Sequence, residues 1–160
     1  MRHREARRRN QGFTVAELVT VAAIISVLAA MAMPVAKMGI RRQKEIELRA
    51  ALRRITEAID RYHDLRVTGR LQDPPALGQG DCPRDLQELV DGVELAPTGA
   101  RLRLLRSRDL IDPMTGRSEW RTLSDTDDAD TTMSDGNNVF EVHSTSTQLA
   151  LDGETRYSEW

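Results

Sequence analysis

The chain has 160 residues, of which 30% are charged and 4% aromatic, and its formal net charge is −2. This length predicts one domain with appendages, and the excess of acids argues against a nucleic-acid-binding protein, which needs cationic side chains to neutralise phosphates. The single cysteine, Cys82, excludes an intramolecular disulfide and a zinc site built on paired cysteines.

The first residues carry a net positive charge, whereas the rest of the chain is acidic. Residues 1–12 contain five Arg and one Glu, a net charge of +4, whereas the remaining 148 residues contain 18 basic and 24 acidic side chains, a net charge of −6. The basic segment directly precedes an apolar run, and segments of this kind stay on the cytoplasmic side of a membrane. We therefore predict that residues 1–12 form a cytoplasmic leader peptide.

An apolar segment follows, with no charged residue from Leu18 to Met33. At about 1.5 Å per residue, residues 13–33 form a helix of roughly 31 Å, long enough to cross the hydrocarbon core of a bilayer. We predict a transmembrane or filament-core helix over residues 13–38. Glu17 lies at its edge, and an acid near the centre of a lipid-embedded helix costs roughly 2.5–3.5 kcal/mol. Glu17 therefore predicts a partner charge.

The helix is predicted to continue beyond the apolar segment. Pro34 removes a helical hydrogen bond, and with Gly39 it makes residues 34–39 a predicted weak point. Residues 39–66 then become amphipathic, so we predict one long helix from about residue 13 to about residue 66. The apolar stripe that should contact the rest of the protein consists of Leu48, Leu52, Ile55, Ile59 and Tyr62.

Residues 67–160 are predicted to form a globular head with a thin core, most simply one sheet packed on one helix. The fold class is α+β, in which a long helix with a transmembrane half and an amphipathic half packs on a small antiparallel sheet. Turn residues lie at Asp112–Gly116. The predicted elements of the head are a short helix over residues 83–90 and strands over residues 100–105, 118–123 and 138–144.

The amino-terminal pattern resembles the prepilin signal of type IV pilins and type II secretion pseudopilins. A basic leader ends in Gly12, Phe13 follows, the fifth residue counted from Phe13 is Glu17, and Pro34 falls where these families commonly place a proline. The resemblance implies a pilin-like fold and a membrane peptidase that cuts after Gly12 and methylates Phe13. It also implies that Glu17 of one subunit faces the new amine of a neighbour and that Pro34 serves filament assembly.

The head resembles most closely the major pseudopilin, or G type, of the type II secretion system. Asp112-Pro113 and the short helix at 83–90 carry this likeness, while Met114 departs from the family's usual Trp. The resemblance implies a non-enzymatic subunit of a periplasmic pseudopilus that drives protein export. It would be a single-pass inner-membrane protein with its head in the periplasm. Its partners would be further copies of itself, the prepilin peptidase, minor pseudopilins and the inner-membrane assembly platform.

Two other functions fit the same sequence. A type IV pilin of a surface pilus would share the signal, although many such pilins close the C-terminal region with a disulfide that this chain cannot form. A secreted binding module would be released by ordinary signal peptidase after Ala32, since Ala30-Met31-Ala32 offers a small-x-small cleavage site. An acid such as Glu17 inside the apolar region argues against that module.

Calcium is the one cofactor that the sequence suggests. The acidic loop at residues 124–137 supplies carboxylates, the oxygen ligands that calcium prefers, although their spacing does not follow the EF-hand pattern. The major pseudopilins bind calcium in C-terminal loops, which by resemblance adds residues 144–152. The candidate ligands are Asp125, Asp127, Asp128, Ser144 and Asp152; the alternative is a solvated acidic loop.

No arrangement of residues indicates an enzyme. Ser144 follows His143, and Asp152 lies further along the chain, but no nucleophile motif surrounds the serine. We therefore expect no catalytic activity.

Overall fold

The computed structural model of the protein describes residues 12–77, 79–128, 131 and 133–160, with only the backbone described for residues 31–35. The leader at residues 1–11 lies outside the described residues. The chain divides into two compact units, Met1–Ile40 and Arg41–Trp160.

The predicted long helix is confirmed as α1, Val15–Val67, a helix of 53 residues. Its backbone stays helical through residues 34–39, so the predicted weak point does not end the helix. It stops at Gly69, whose φ of 66° suits a residue without a side chain. There the Arg70 N–H donates to the Leu65 carbonyl at 2.9 Å, which satisfies one of the last free helical carbonyls.

The amphipathic stripe of α1 is confirmed as the core of the second unit. Leu48, Ile55 and Tyr62 are fully buried, Ile59 is nearly so, and Leu52 is half-buried against them. Because these positions recur every three or four residues, they share one side of the helix and leave its charged side chains in solvent. Two groups of residues pack on this stripe. The larger includes Leu89, Val93, Leu105, Leu110, Val139 and Val142, and the smaller includes Ala150 and Tyr157.

The predicted short helix is present as α2, Leu86–Asp91, and it begins later than expected. Asp85 has extended backbone angles, and its carboxylate accepts the Glu88 N–H at 2.8 Å, so Asp85 rather than a residue near Pro83 caps the helix. Gly92 closes the other end with a φ of 94°, and a Cβ there would lie 2.9 Å from the Leu102 carbonyl oxygen.

The α+β fold class is confirmed, but the strands form two small sheets instead of one. β1 (Val93–Leu95) pairs with β2 (Ala100–Leu102), and β3 (Trp120–Leu123) pairs with β4 (Glu141–Ser144); both pairs are antiparallel. In register, Val93 lies opposite Leu102 and Trp120 opposite Ser144. The sequence did not predict β1.

The first predicted strand, at residues 100–105, is too long for a physical reason. The N–H groups of Leu104 and Leu105 both donate to the Leu89 carbonyl at 3.0 Å, so beyond Leu102 the chain binds the end of α2 instead of a strand. A 3₁₀ helix at Ser107–Leu110 and the turn at 112–116 then separate the two sheets.

Candidate functional site

The predicted processing junction lies just before α1. Gly12, Phe13 and Thr14 precede the helix, and the Phe13 side chain is 75% exposed. An exposed, non-helical peptide bond is the form that a peptidase can bind in its active site, because a helix would have to unwind first. The bond between Gly12 and Phe13 is therefore exposed and non-helical, and cleavage at this bond stays a prediction.

Glu17 lies in the first turn of α1 and is exposed. The Thr14 hydroxyl accepts the Glu17 N–H at 3.2 Å, so Thr14 caps the helix and Glu17 is its third residue, the Thr-x-x-Glu spacing of a capping box. A carboxylate at this end is also favoured by the helix dipole. Glu17 thus stabilises the start of its own helix, and among the described residues it has no ion-pair partner.

The helix after Glu17 exposes large apolar side chains on all its faces. In the part of the chain that the structure describes, no helix combines the length and apolarity needed to cross a membrane. Pro34 lies within α1, and only its backbone is described. The exposed apolar residues are Val15, Leu18, Val19, Val21, Ile24, Ile25, Val27 and Leu28, each at least 46% exposed.

The acidic loop is held by its own hydrogen bonds. The two carboxylate oxygens of Asp127 accept the N–H groups of Ser124, at 2.8 Å, and Asp135, at 3.2 Å. The Asp135 carboxylate in turn accepts the Thr126 hydroxyl at 2.9 Å. The Ser134 side chain contributes most to holding the pKa of Asp127 below its usual value, and the Asn137 N–H contributes most to lowering the pKa of Asp135.

The other acids of this loop have different surroundings. Asp125 accepts the Asn138 side-chain amide at 2.7 Å, and the same amide donates to the Gln79 carbonyl at 2.9 Å, which attaches the loop to the segment after α1. The Asp128 side chain is exposed. Asp130 lies outside the described residues.

The remaining calcium candidates are engaged in separate hydrogen bonds. The Ser144 hydroxyl donates to the buried Asp112 carboxylate at 2.6 Å. Asp152 accepts the N–H groups of Glu154 and Thr155 at 2.9 and 3.0 Å, and the Thr155 hydroxyl is the main cause of the lowered pKa of Asp152. Across residues 12–77, 79–128, 131 and 133–160, no three His, Cys, Asp or Glu side chains are grouped as metal ligands would be.

A comparison with known protein families found one match. The family described as "Prokaryotic N-terminal methylation motif" matches residues 7–33. The chain carries a prokaryotic N-terminal methylation motif. The match includes Gly12, Phe13 and Glu17, and it supports the predicted resemblance to type IV pilin-like precursors. A search of curated proteins and a search of solved structures each found no match to the chain.

Beyond the methylation motif, the structure shows a contact that sequence reasoning missed. Near the start of the second unit, Arg41 donates to the Tyr157 hydroxyl at 3.0 Å and to the Leu149 carbonyl. The Tyr157 hydroxyl donates to Glu45 at 2.8 Å, and the same Glu45 oxygen accepts the Leu151 N–H at 2.7 Å. Burial raises the pKa of Tyr157. We call this set the C-terminal clamp.

Trp160 adds an aromatic contact to the C-terminal clamp. Its ring meets the Tyr157 ring edge to face, with centroids 5.2 Å apart, and the Arg49 guanidinium lies 4.3 Å from its centroid. Two late aromatic residues in a chain with 4% aromatics were the sequence signal for this packing. The clamp fixes the last residues of the chain against α1.

Proposed function

We propose that this chain is a structural subunit of a type IV pilin-like filament, made as a precursor that is cleaved after Gly12 and methylated on Phe13. The observation that carries the proposal is the methylation motif at residues 7–33, followed by a helix that exposes apolar side chains and continues into the head. Large exposed apolar surfaces mark protein or membrane contacts. Lipid covers this surface in the precursor, and neighbouring helices cover it in the filament.

The proposed topology follows from the charges. The basic leader stays in the cytoplasm, the apolar helix anchors the precursor in the bacterial inner membrane, and the acidic head lies outside. Subunits then leave the membrane by packing their apolar helices together. Contacts between unlike surfaces of identical subunits repeat without closing, and they give an open helical fibre.

Glu17 is proposed to recruit the next subunit. Cleavage after Gly12 creates a positively charged amine on Phe13, and the Glu17 carboxylate of a neighbour is its partner. Attraction between opposite charges is stronger in a low dielectric than in water, but desolvation consumes much of the gain. The contact therefore sets register more than it adds stability.

Substitution of Glu17 tests this role. We expect Glu17→Ala and Glu17→Gln precursors to be cleaved and methylated normally but to give little filament, because the amine has no partner. The matched control is Thr14→Ala, which removes the helix cap while it keeps the carboxylate, and should still assemble. Normal filament yield from both Glu17 variants would refute the role, and an equal loss from Thr14→Ala would assign it to helix capping.

The processing step has a direct test. Mass spectrometry of the mature protein should give a chain that begins at methylated Phe13. A chain that begins at Met33 would instead identify a secreted module released after Ala32, and the filament proposal would fall.

Within pilin-like proteins, we propose the major pseudopilin of type II secretion. Asp112-Pro113 and the short helix α2 support this subtype, as does the single cysteine, which cannot form the disulfide common in surface pilins. The proposed partners are the prepilin peptidase, minor pseudopilins and the inner-membrane assembly platform. Deletion of the gene should abolish the export of folded proteins; loss of surface fibres with normal export would identify a type IV pilin of a surface pilus.

The proposed role is structural and not catalytic. Cys82 is buried, and burial, followed by the nearby Asp125 charge, raises the pKa of its thiol, which disfavours the nucleophilic thiolate. His143 contacts the Trp160 carbonyl at 2.8 Å, while the Ser144 hydroxyl donates to the Asp112 carboxylate and not to His143. These contacts are the observations behind the proposal of a structural role.

Calcium binding stays a separate proposal, supported by the resemblance and by the acids of residues 124–138. The described arrangement does not by itself form a calcium site, since the Asp127 and Asp135 oxygens already accept hydrogen bonds from the loop. Thermal unfolding of the head (residues 39–160) with calcium and with chelator tests the proposal. A higher Tm in calcium would support binding, and identical curves would retire it.

A further inference from the structure

One groove in the head lies between α1 and the irregular segment that follows β2. It has a volume of about 580 Å³, and its lining residues come from α1 on one side and from residues 106–113 on the other. Ala50, Ala51, Ile111 and Pro113 form its apolar lining, and Ile111 is 50% exposed. The groove therefore offers an apolar lining on which a partner's side chain can pack.

The edge of this groove is rich in arginine. Segment 103–108 contains three arginines and no acid, and the two that line the groove, Arg106 and Arg108, are exposed. Within the part of the chain that the structure describes, neither forms an ion pair, whereas Arg54 is held by Asp109 at 2.9 Å. The groove therefore has cationic side chains available for an acidic partner.

Glu47 and Asp109 are the acids that line the groove. Asp109 is buried and neutralised by its contact with Arg54, so Glu47 is the one unpaired acid among the described lining residues. The charge that remains at the edge is positive.

The acidic loop has the opposite charge to the edge of the groove. Residues 124–140 contain five Asp and no Lys or Arg. Asp128 is exposed, and Met133 is 83% exposed, so the loop presents an apolar side chain and a carboxylate to solvent. The hydrogen bonds of Asp127 and Asp135 fix the base of the loop. The loop therefore loses less conformational entropy when it binds a partner.

We propose that the arginine-edged groove receives the acidic loop of a second copy of this chain, with Met133 on the apolar lining and Asp128 beside Arg106 and Arg108. Within the described residues, no hydrogen bond or ion pair joins the loop to segment 103–113 of the same chain, so both surfaces are available between copies. Groove and loop are different surfaces of one chain, and such a contact propagates along a fibre. The inference rests on the proposed filament function.

Charge exchange in the full chain, expressed with its peptidase in a membrane, tests the pairing. We expect Arg108→Asp and Asp128→Arg each to lower filament yield by about three- to tenfold, since a reversal replaces attraction by repulsion. The double variant restores the pair and should recover most of the yield. Arg70→Asp, an equal charge change at an exposed arginine outside the groove, should leave the yield unchanged. Normal yield from both single variants, or a double variant worse than either, would overturn the proposal.

Cross-linking tests the same contact by proximity. A full chain with Arg108→Cys and Met133→Cys should form an oxidised ladder of linked copies in filaments, whereas either single variant should not. Cys82 is 3% exposed and should give no background in the parent chain. Filaments without a ladder would refute the contact and leave the filament function standing, while absence of filaments from the parent chain would refute both. A product that links one copy to a different protein would refute a second copy as the occupant.

Discussion

Removal of the Asp112 carboxylate should destabilise the head. Asp112 is fully buried. One of its oxygens accepts the Met114 N–H at 2.7 Å, and the other accepts the Ser144 hydroxyl at 2.6 Å, so it joins the turn at 112–116 to β4. Asp112→Ala leaves the buried Ser144 hydroxyl and the partly buried Met114 N–H without an acceptor. At about 1–3 kcal/mol for each unpaired group, the expected loss is about 3 kcal/mol, which lowers Tm by about 10 °C in a head of this size.

The matched control is Asp112→Asn, which keeps the shape of the side chain. Its amide oxygen still accepts the Met114 N–H, and the Ser144 hydroxyl can rotate to accept from the new amide group. The expected loss of unfolding free energy is therefore below about 1 kcal/mol.

Urea and thermal unfolding of residues 39–160, monitored by circular dichroism, measure these losses of unfolding free energy. Ser144→Ala alone should cost about 1–2 kcal/mol, because it leaves the carboxylate one donor short. The double variant with Asp112→Ala should cost much less than the sum of the two single changes, since both remove the same bond. Equal losses from the Asn and Ala variants, or additive losses in the cycle, would refute the reasoning.

Two further predictions concern the tyrosines of the head. Tyr157→Phe removes the hydroxyl that joins Arg41 to Glu45, so we expect a lower Tm and faster proteolysis after residue 148, while an unchanged digestion pattern would argue against the C-terminal clamp. For Tyr62, burial raises the pKa to about 12. A raised folded-state pKa gives stability that is complete below pH 10 and lost as the pH rises through 12, so unfolding free energy should fall in that window. Tyr62→Phe, measured by urea melts, should reduce that fall and not remove it, because burial also raises the pKa of Tyr157. An unchanged fall would assign the whole effect to other groups.

Local sequence was sufficient for the helices. The spacing of Leu48, Ile55 and Tyr62 predicts a stripe, and the structure buries all three, because burial of a helical face depends on positions within one segment. The methylation motif is equally local, since the basic leader, Gly12, Phe13 and Glu17 all lie within residues 2–17. The clearest local error was the start of α2, where Asp85 captures the Glu88 N–H and shortens the helix.

The sheets and the head surfaces could not be predicted in this way. β1 is three residues long, and its pairing with β2 depends on a turn that brings them together. The C-terminal clamp joins Arg41 to Tyr157 across 116 positions, and no periodicity marks such a pair. The candidate calcium ligands lie in separate parts of the chain, and only the fold decided that the Ser144 hydroxyl donates to the Asp112 carboxylate.

The sequence by itself determined the amino-terminal signal, the long helix and its apolar stripe, because each depends on residues that lie close together in the chain. The tertiary structure decided which distant polar groups meet: Asp112 with Ser144, and Tyr157 with Arg41 and Glu45. It also decided which apolar side chains stay uncovered, at the first half of α1 and at the arginine-edged groove. The physical reason is that buried polar groups must find partners wherever the folded chain brings a donor and an acceptor together.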